Sequence, residues 1–107
     1  MDQTSMRSNR GPNTTISELV DKFAAREILR QLDTWSPRMN ARVLAAWLDR
    51  IALRPANFNG LIAMLEREGM IAVERNEEVV LQLHEKGRDV ARGAVMHVEI
   101  ERPALPA

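Results

Sequence analysis

Arginine and asparagine residues lie at the start and along the outer face of a segment that we predict to be the third helix. They are Arg54, Asn57, Asn59 and Arg67. An asparagine amide can make two hydrogen bonds to an adenine edge, and an arginine can bond a guanine edge or a phosphate. Residues of these types on one helix indicate a surface able to contact double-stranded DNA.

Three further arginines, Arg38, Arg42 and Arg75, are candidates for contacts with phosphates if the fold brings them to the same side. The local charge does not favour such contacts. Residues 52–83 contain three arginines and five glutamates, whereas a DNA-reading surface usually has an excess of positive charge. The missing positive charge must then come from the first helix and the start of the second.

Residue types suited to catalysis or metal binding are scarce. The chain has no cysteine, so it has no thiolate nucleophile, disulfide or thiolate metal site. We expect His84 to cap or precede the last helix, and His97 to be solvated. No convergent nucleophile, acid and base and no phosphate-binding glycine loop is visible. We therefore predict neither an enzyme nor a metal or cofactor site.

The composition is that of one ordinary globular domain. The 107 residues are 45% hydrophobic and 28% charged, which predicts a folded chain with a single core. Fifteen basic residues balance fifteen acidic ones, so there is no general attraction to nucleic acid or to anionic membranes. No apolar run approaches the ~20 residues that span a bilayer, and the start lacks a signal-peptide pattern. We expect a cytoplasmic protein that does not contact a membrane.

Two helices are predicted in the first half of the chain. Thr15 and Glu18 have the capping-box spacing, in which each side chain bonds the other residue's backbone N–H, and residues 35–37 with Pro37 stop this helix. Asn40 is the expected N-cap of the second helix. Its predicted buried face comprises Val43, Leu44, Trp47, Leu48 and Ile51.

The third helix is predicted to have Pro55 at its first position, after a short turn over residues 52–54. Leu53 is spaced to contact Phe58 as a hydrophobic staple, and Gly69 is placed to end the helix in a left-handed conformation. We expect both tryptophans to pack in the core or an interface. The predicted centre of the core comprises Phe23, Ile28, Leu48, Leu61, Ile62 and Leu65.

The apolar pattern changes from helical to alternating after Gly69. Two short strands over residues 71–73 and 79–83, with a polar turn between them, predict a hairpin. A short helix over residues 84–92 follows. Met96, Val98 and Ile100 then alternate with polar residues, which predicts a final strand over residues 96–100.

Three regions result: a flexible arm over residues 1–13, one domain over residues 14–93, and a C-terminal strand and tail over residues 94–107. The arm is too polar to offset the entropy of ordering. A lone strand cannot satisfy its own backbone groups, so the last strand must pair with the hairpin of its own chain or with a second copy. We favour the second copy, which predicts a homodimer.

The predicted fold class is mainly α with a small β-hairpin, in the element order of a winged helix-turn-helix. Residues 61–71 (LIAMLEREGMI) resemble the junction between recognition helix and strand in bacterial winged-helix regulators, and residues 81–91 (LQLHEKGRDVA) resemble the exit from the wing. The run from about Asp21 to Pro103 resembles small winged-helix proteins of Mu-like phages and prophages, which are often labelled as similar to ArsR-type regulators.

This resemblance implies a phage or prophage protein that binds double-stranded DNA and acts in transcription regulation. It does not extend to metal sensing by cysteines, because the chain has none. A non-catalytic winged-helix module that binds another protein, and not DNA, is the alternative.

Overall fold

The computed structural model describes residues 15–102. The predicted arm, residues 1–13, and the end of the predicted tail, residues 103–107, lie outside this range. Within it, four helices and a small three-stranded antiparallel sheet surround one apolar core. The order of these elements is consistent with a winged-helix arrangement.

The first two helices begin at the predicted caps. Helix α1 (Ile16–Thr34) follows Thr15, whose Oγ1 accepts a 3.1 Å hydrogen bond from the N–H of Glu18, while the N–H of Thr15 donates to Oε1 of Glu18 over 3.0 Å. Helix α2 (Ala41–Arg50) follows Asn40, whose side chain accepts a backbone N–H of the first turn. Local capping therefore determines both starts, as predicted.

Helix α3 (Phe58–Arg67) begins later than predicted. Its N-cap is Asn57, whose Oδ1 accepts a 2.8 Å hydrogen bond from a backbone N–H of the first turn. The predicted start at Pro55 is wrong because proline fixes only its own φ, whereas the asparagine satisfies a free N–H. The preceding turn therefore covers residues 51–57, so Leu53 is not the residue before the N-cap, but it lines one small groove together with Phe58 and both pack against the core.

The sheet contains one strand more than the predicted hairpin. Strands β2 (Ile71–Arg75) and β3 (Val79–Leu83) form that hairpin, and β1 (Arg38–Asn40) pairs with the other edge of β3 to give the order β1-β3-β2. Met39 lies opposite Leu81 in this antiparallel pairing. Both strands beside β3 are thus supplied by the same domain.

Glycines follow the ends of α3, as predicted, and of the last helix, α4 (Glu85–Ala91). Gly69 has a φ of 78° and Gly93 a φ of 80°. Residues other than glycine rarely adopt such positive φ angles. A third glycine, Gly87, lies so close to the carbonyl oxygen of Met70 that a Cβ at this position would overlap it. The absence of a side chain there allows α4 to approach the start of the hairpin.

Residues 94–102 contain no strand, so the predicted strand over residues 96–100 is wrong. The segment lies beside α1, where the N–H of Glu101 donates to the carbonyl oxygen of Lys22 over 3.2 Å. Ile100 is 5% exposed, and its burial stabilises an irregular backbone in place of a strand. The strand that was predicted to join two copies is therefore not formed in the part of the chain that the structure describes.

The predicted core is largely confirmed. The residues that are at most 7% exposed include Ile28, Leu48, Leu61, Ile62 and Leu65, whereas Phe23 is half-buried. Trp47 packs partly buried against the core. Trp35 is 74% exposed and does not pack there, and Val43 and Ile51 of the predicted buried face of α2 are also exposed. The buried face of α2 is thus narrower than the one that the sequence pattern predicted.

Candidate nucleic-acid interface

Helix α3 has one buried and one exposed face. Leu61 and Leu65 lie in the core, whereas Asn59, Ala63 and Arg67 are exposed. These three residues are four positions apart, so they lie along one side of the helix. We call them the α3 stripe, and they present an amide, a methyl group and a guanidinium to the solvent.

A groove of about 370 Å³ lies between the N-terminal ends of α2 and α3 and the β2–β3 turn. Three of the predicted DNA-contacting residues line it, each from a different element: Arg42 of α2, Asn59 of α3 and Arg75 of β2. Glu77 and Glu78 line its hairpin side. The fold therefore brings part of the predicted set together in this wing groove, together with two carboxylates.

The other predicted residues lie elsewhere. Asn57 caps α3 and lines a second groove, which α3 shares with α1 and residues 98–99. Arg54 lies in the turn before α3, where its Nε donates a hydrogen bond to Asp49. Arg38 is on the outer face of the sheet and pairs with Glu74. These three residues therefore do not extend the wing groove.

Carboxylates neutralise most of the predicted arginines. Arg75 donates two hydrogen bonds to Glu66, of 3.0 and 3.2 Å; they hold the pKa of Glu66 below its usual value and raise the pKa of Arg75. Arg67 lies 3.7 Å from Glu68. Arg42 has no ion pair with any residue in the range 15–102. Exposed ion pairs contribute little to stability, so these arginines can exchange a carboxylate for another anion.

Two residues of this surface were not predicted from the sequence. Ala63 follows Asn59 by four positions, so the helical period was sufficient to place it on the stripe. Glu66 binds Arg75, nine residues away across the turn at Gly69. The path of that turn, and not the residue spacing, brings the two side chains together.

The histidines lie outside this surface. His84 is exposed at the N-cap of α4, and its side chain makes no capping hydrogen bond. His97 was predicted to be solvated, but its side chain is only 15% exposed and its Nε2 lies 3.2 Å from Glu68. Over residues 15–102, no three of the histidine, aspartate and glutamate side chains are arranged to hold a metal ion. In the same range, no helix combines the length and apolarity needed to cross a membrane.

The α3 stripe and the wing groove adjoin at Asn59. Their amide and guanidinium groups are suited to hydrogen bonding with base edges and phosphates. No protein-family model, no curated protein and no solved structure matches this chain.

Proposed function

We propose that this protein binds double-stranded DNA as a winged helix-turn-helix module. Helix α3 enters the major groove, and the β2–β3 turn lies beside the phosphate backbone. The observation that carries this proposal is the exposure of Asn59, Ala63 and Arg67 along one side of α3, next to a groove that also contains Arg42 and Arg75.

The arrangement of elements supports this proposal. Helices α2 and α3 are joined by a turn, and a hairpin follows directly, which is the order in which a winged helix-turn-helix presents its second helix to DNA. Strand β1 adds a third strand beside β3 and connects α1 to α2 within the same core. A rigid core behind α3 would hold its exposed side chains in fixed positions, as a helix that contacts base edges requires.

The side chains of the stripe suit the major groove. Asn59 can bond the N6 and N7 edge of an adenine, the methyl group of Ala63 can contact a thymine methyl, and Arg67 can bond the O6 and N7 edge of a guanine. Arg42 and Arg75, which line the adjoining wing groove, can then contact phosphates. The resemblance of residues 61–71 and 81–91 to bacterial winged-helix regulators favours a role in transcription regulation, and the resemblance of the run from about Asp21 to Pro103 to small phage proteins favours a phage or prophage setting.

A titration of labelled genomic fragments from host and phage tests the proposal, at about 50 mM salt where phosphate contacts are strongest. The folded protein should retain a subset of fragments, and Asn59→Ala should weaken retention by about 1 to 3 kcal/mol. Arg42→Ala should also weaken retention through a lost phosphate contact, and Arg50→Ala is its matched control, because Arg50 lies at the far end of the same helix. Retention of no fragment by the folded protein at any concentration would overturn the proposal.

A protein-interaction module that does not bind DNA is the second candidate. The observation that favours it is the neutralisation of Arg38, Arg54 and Arg75 by carboxylates of the same chain. The exposed Val43 of α2 and Ile51, which follows the helix, add apolar surface that a protein partner could cover. This function would replace the first if the folded chain retains no DNA fragment.

A further inference from the structure

Glu66 and Arg75 form a bidentate ion pair at the border of the proposed DNA-binding surface. Both terminal nitrogens of Arg75 donate to the two carboxylate oxygens of Glu66, over 3.2 and 3.0 Å. Glu66 is three residues after Ala63, so it lies beside the α3 stripe. Arg75 is the last residue of β2 and lines the wing groove.

We infer that Glu66 competes with a DNA phosphate for the guanidinium of Arg75 and thereby limits the affinity of the protein for DNA. This inference rests on the proposed function. A guanidinium carries five N–H donors, and the pair of terminal nitrogens fits a carboxylate or a phosphate in the same bidentate way. Glu66 holds both terminal nitrogens of Arg75 and neutralises its charge, so a phosphate gains this bidentate contact only by displacing Glu66.

The rest of the hairpin cannot replace Arg75. It is the only basic residue between Ile71 and Leu83, a stretch that also contains Glu74, Glu77 and Glu78. Glu74 already accepts a hydrogen bond from Arg38, and Glu78 one from Asn40. Release of Arg75 to a phosphate therefore leaves the charge of Glu66 facing the DNA, and this charge must be screened by a cation from solution.

This exchange makes two measurable predictions for Glu66→Gln, which keeps the size of the side chain and removes its charge. The affinity for a retained fragment should rise roughly two- to fivefold at low salt, as expected for the loss of one exposed competing ion pair. The dependence of log affinity on log salt should steepen by up to about one unit, because no cation is then taken up at Glu66.

Two matched variants isolate the effect. Glu85→Gln makes the same change of charge at an exposed residue of α4 and should leave affinity and salt slope near those of the parent. In an Arg75→Ala background there is no guanidinium to release, so Glu66→Gln should raise the affinity less than it does in the parent. An equal rise in both backgrounds would show repulsion between Glu66 and DNA alone and would overturn the inference. Circular dichroism of each variant establishes that it is folded.

The outcomes separate the inference from the proposed function. If the parent binds DNA and Glu66→Gln binds no more tightly than Glu85→Gln, the inference is overturned and the proposed function stands. If the parent shows no measurable binding and Glu66→Gln does, the proposed function and the inference are both supported, and the competition by Glu66 is strong. If no folded variant binds, the proposed function is overturned, and the inference with it.

Discussion

The indole Nε1 of Trp47 donates a 2.7 Å hydrogen bond to Glu27 and so joins α2 to α1. Glu27 is 6% exposed, and the same carboxylate accepts a 2.8 Å bond from Gln31 and two bonds from Arg30. Burial alone raises the pKa of Glu27, but the hydrogen bonds from Arg30, Trp47 and Gln31 outweigh it and hold the pKa below its usual value. A buried carboxylate with this many donors fixes the position of α2 on the core.

Removal of the Glu27 carboxylate should therefore destabilise the fold. Glu27→Ala leaves the Trp47 indole and the Gln31 amide without their acceptor, which should lower the free energy of unfolding by about 1 to 3 kcal/mol in urea denaturation. Trp47→Phe should cost less in the Glu27→Ala background than in the parent, because the shared bond is already lost. Strictly additive effects of the two changes would show that this bond does not couple the helices.

The Glu27 carboxylate should also make the free energy of unfolding depend on pH in the acid range. Its pKa is lower in the folded than in the unfolded chain, so its contribution is fully present above the unfolded value, about 4.3, and is lost as the pH falls through the lower folded value. The difference in unfolding free energy between the parent and Glu27→Gln should shrink over this acid range. Parallel stability curves for the two proteins below pH ~4.3 would contradict the assignment.

The two asparagines at the start of α3 should have separable effects. Asn57→Ala removes the N-cap and should lower stability by about 0.5 to 2 kcal/mol, with little loss of DNA affinity once the protein is fully folded. Asn59→Ala should leave the melting temperature unchanged and weaken DNA retention. Equal loss of DNA retention in both folded variants would show that the DNA-contacting surface includes Asn57 and the groove beside α1.

The segment after α4 should contribute stability through one residue. Ile100→Ala empties a buried site and should cost about 2 to 5 kcal/mol in urea denaturation. Val98→Ala is the matched control, because Val98 is 80% exposed, and it should change stability by no more than about 0.5 kcal/mol. If the two changes have the same small effect, Ile100 is not part of the core in solution.

The features that the sequence determined by itself are those set by short-range contacts. The capping box joins Thr15 and Glu18, which are three positions apart, Asn40 caps an N–H two positions later, and Gly69 adopts its left-handed conformation just after α3. The hairpin also follows from the alternation of neighbouring residues and the polar turn between its strands. Local hydrogen bonds and backbone sterics act alike in any tertiary context, so their residue patterns predict them.

Tertiary structure decided the features that depend on residues far apart in the chain. Strand β1 is only three residues long and exists through its pairing with β3, where Arg38 meets Gln82, 44 positions later. The alternation of residues 96–100 predicted a strand. The segment lies beside α1 instead, and of its apolar residues Met96, Val98 and Ile100 only Ile100 is buried. The partners of Arg38 and Arg75 likewise depend on which elements lie side by side. Alternating side chains and exposed charges fit several environments equally well, and only the packing of the whole domain selects among them.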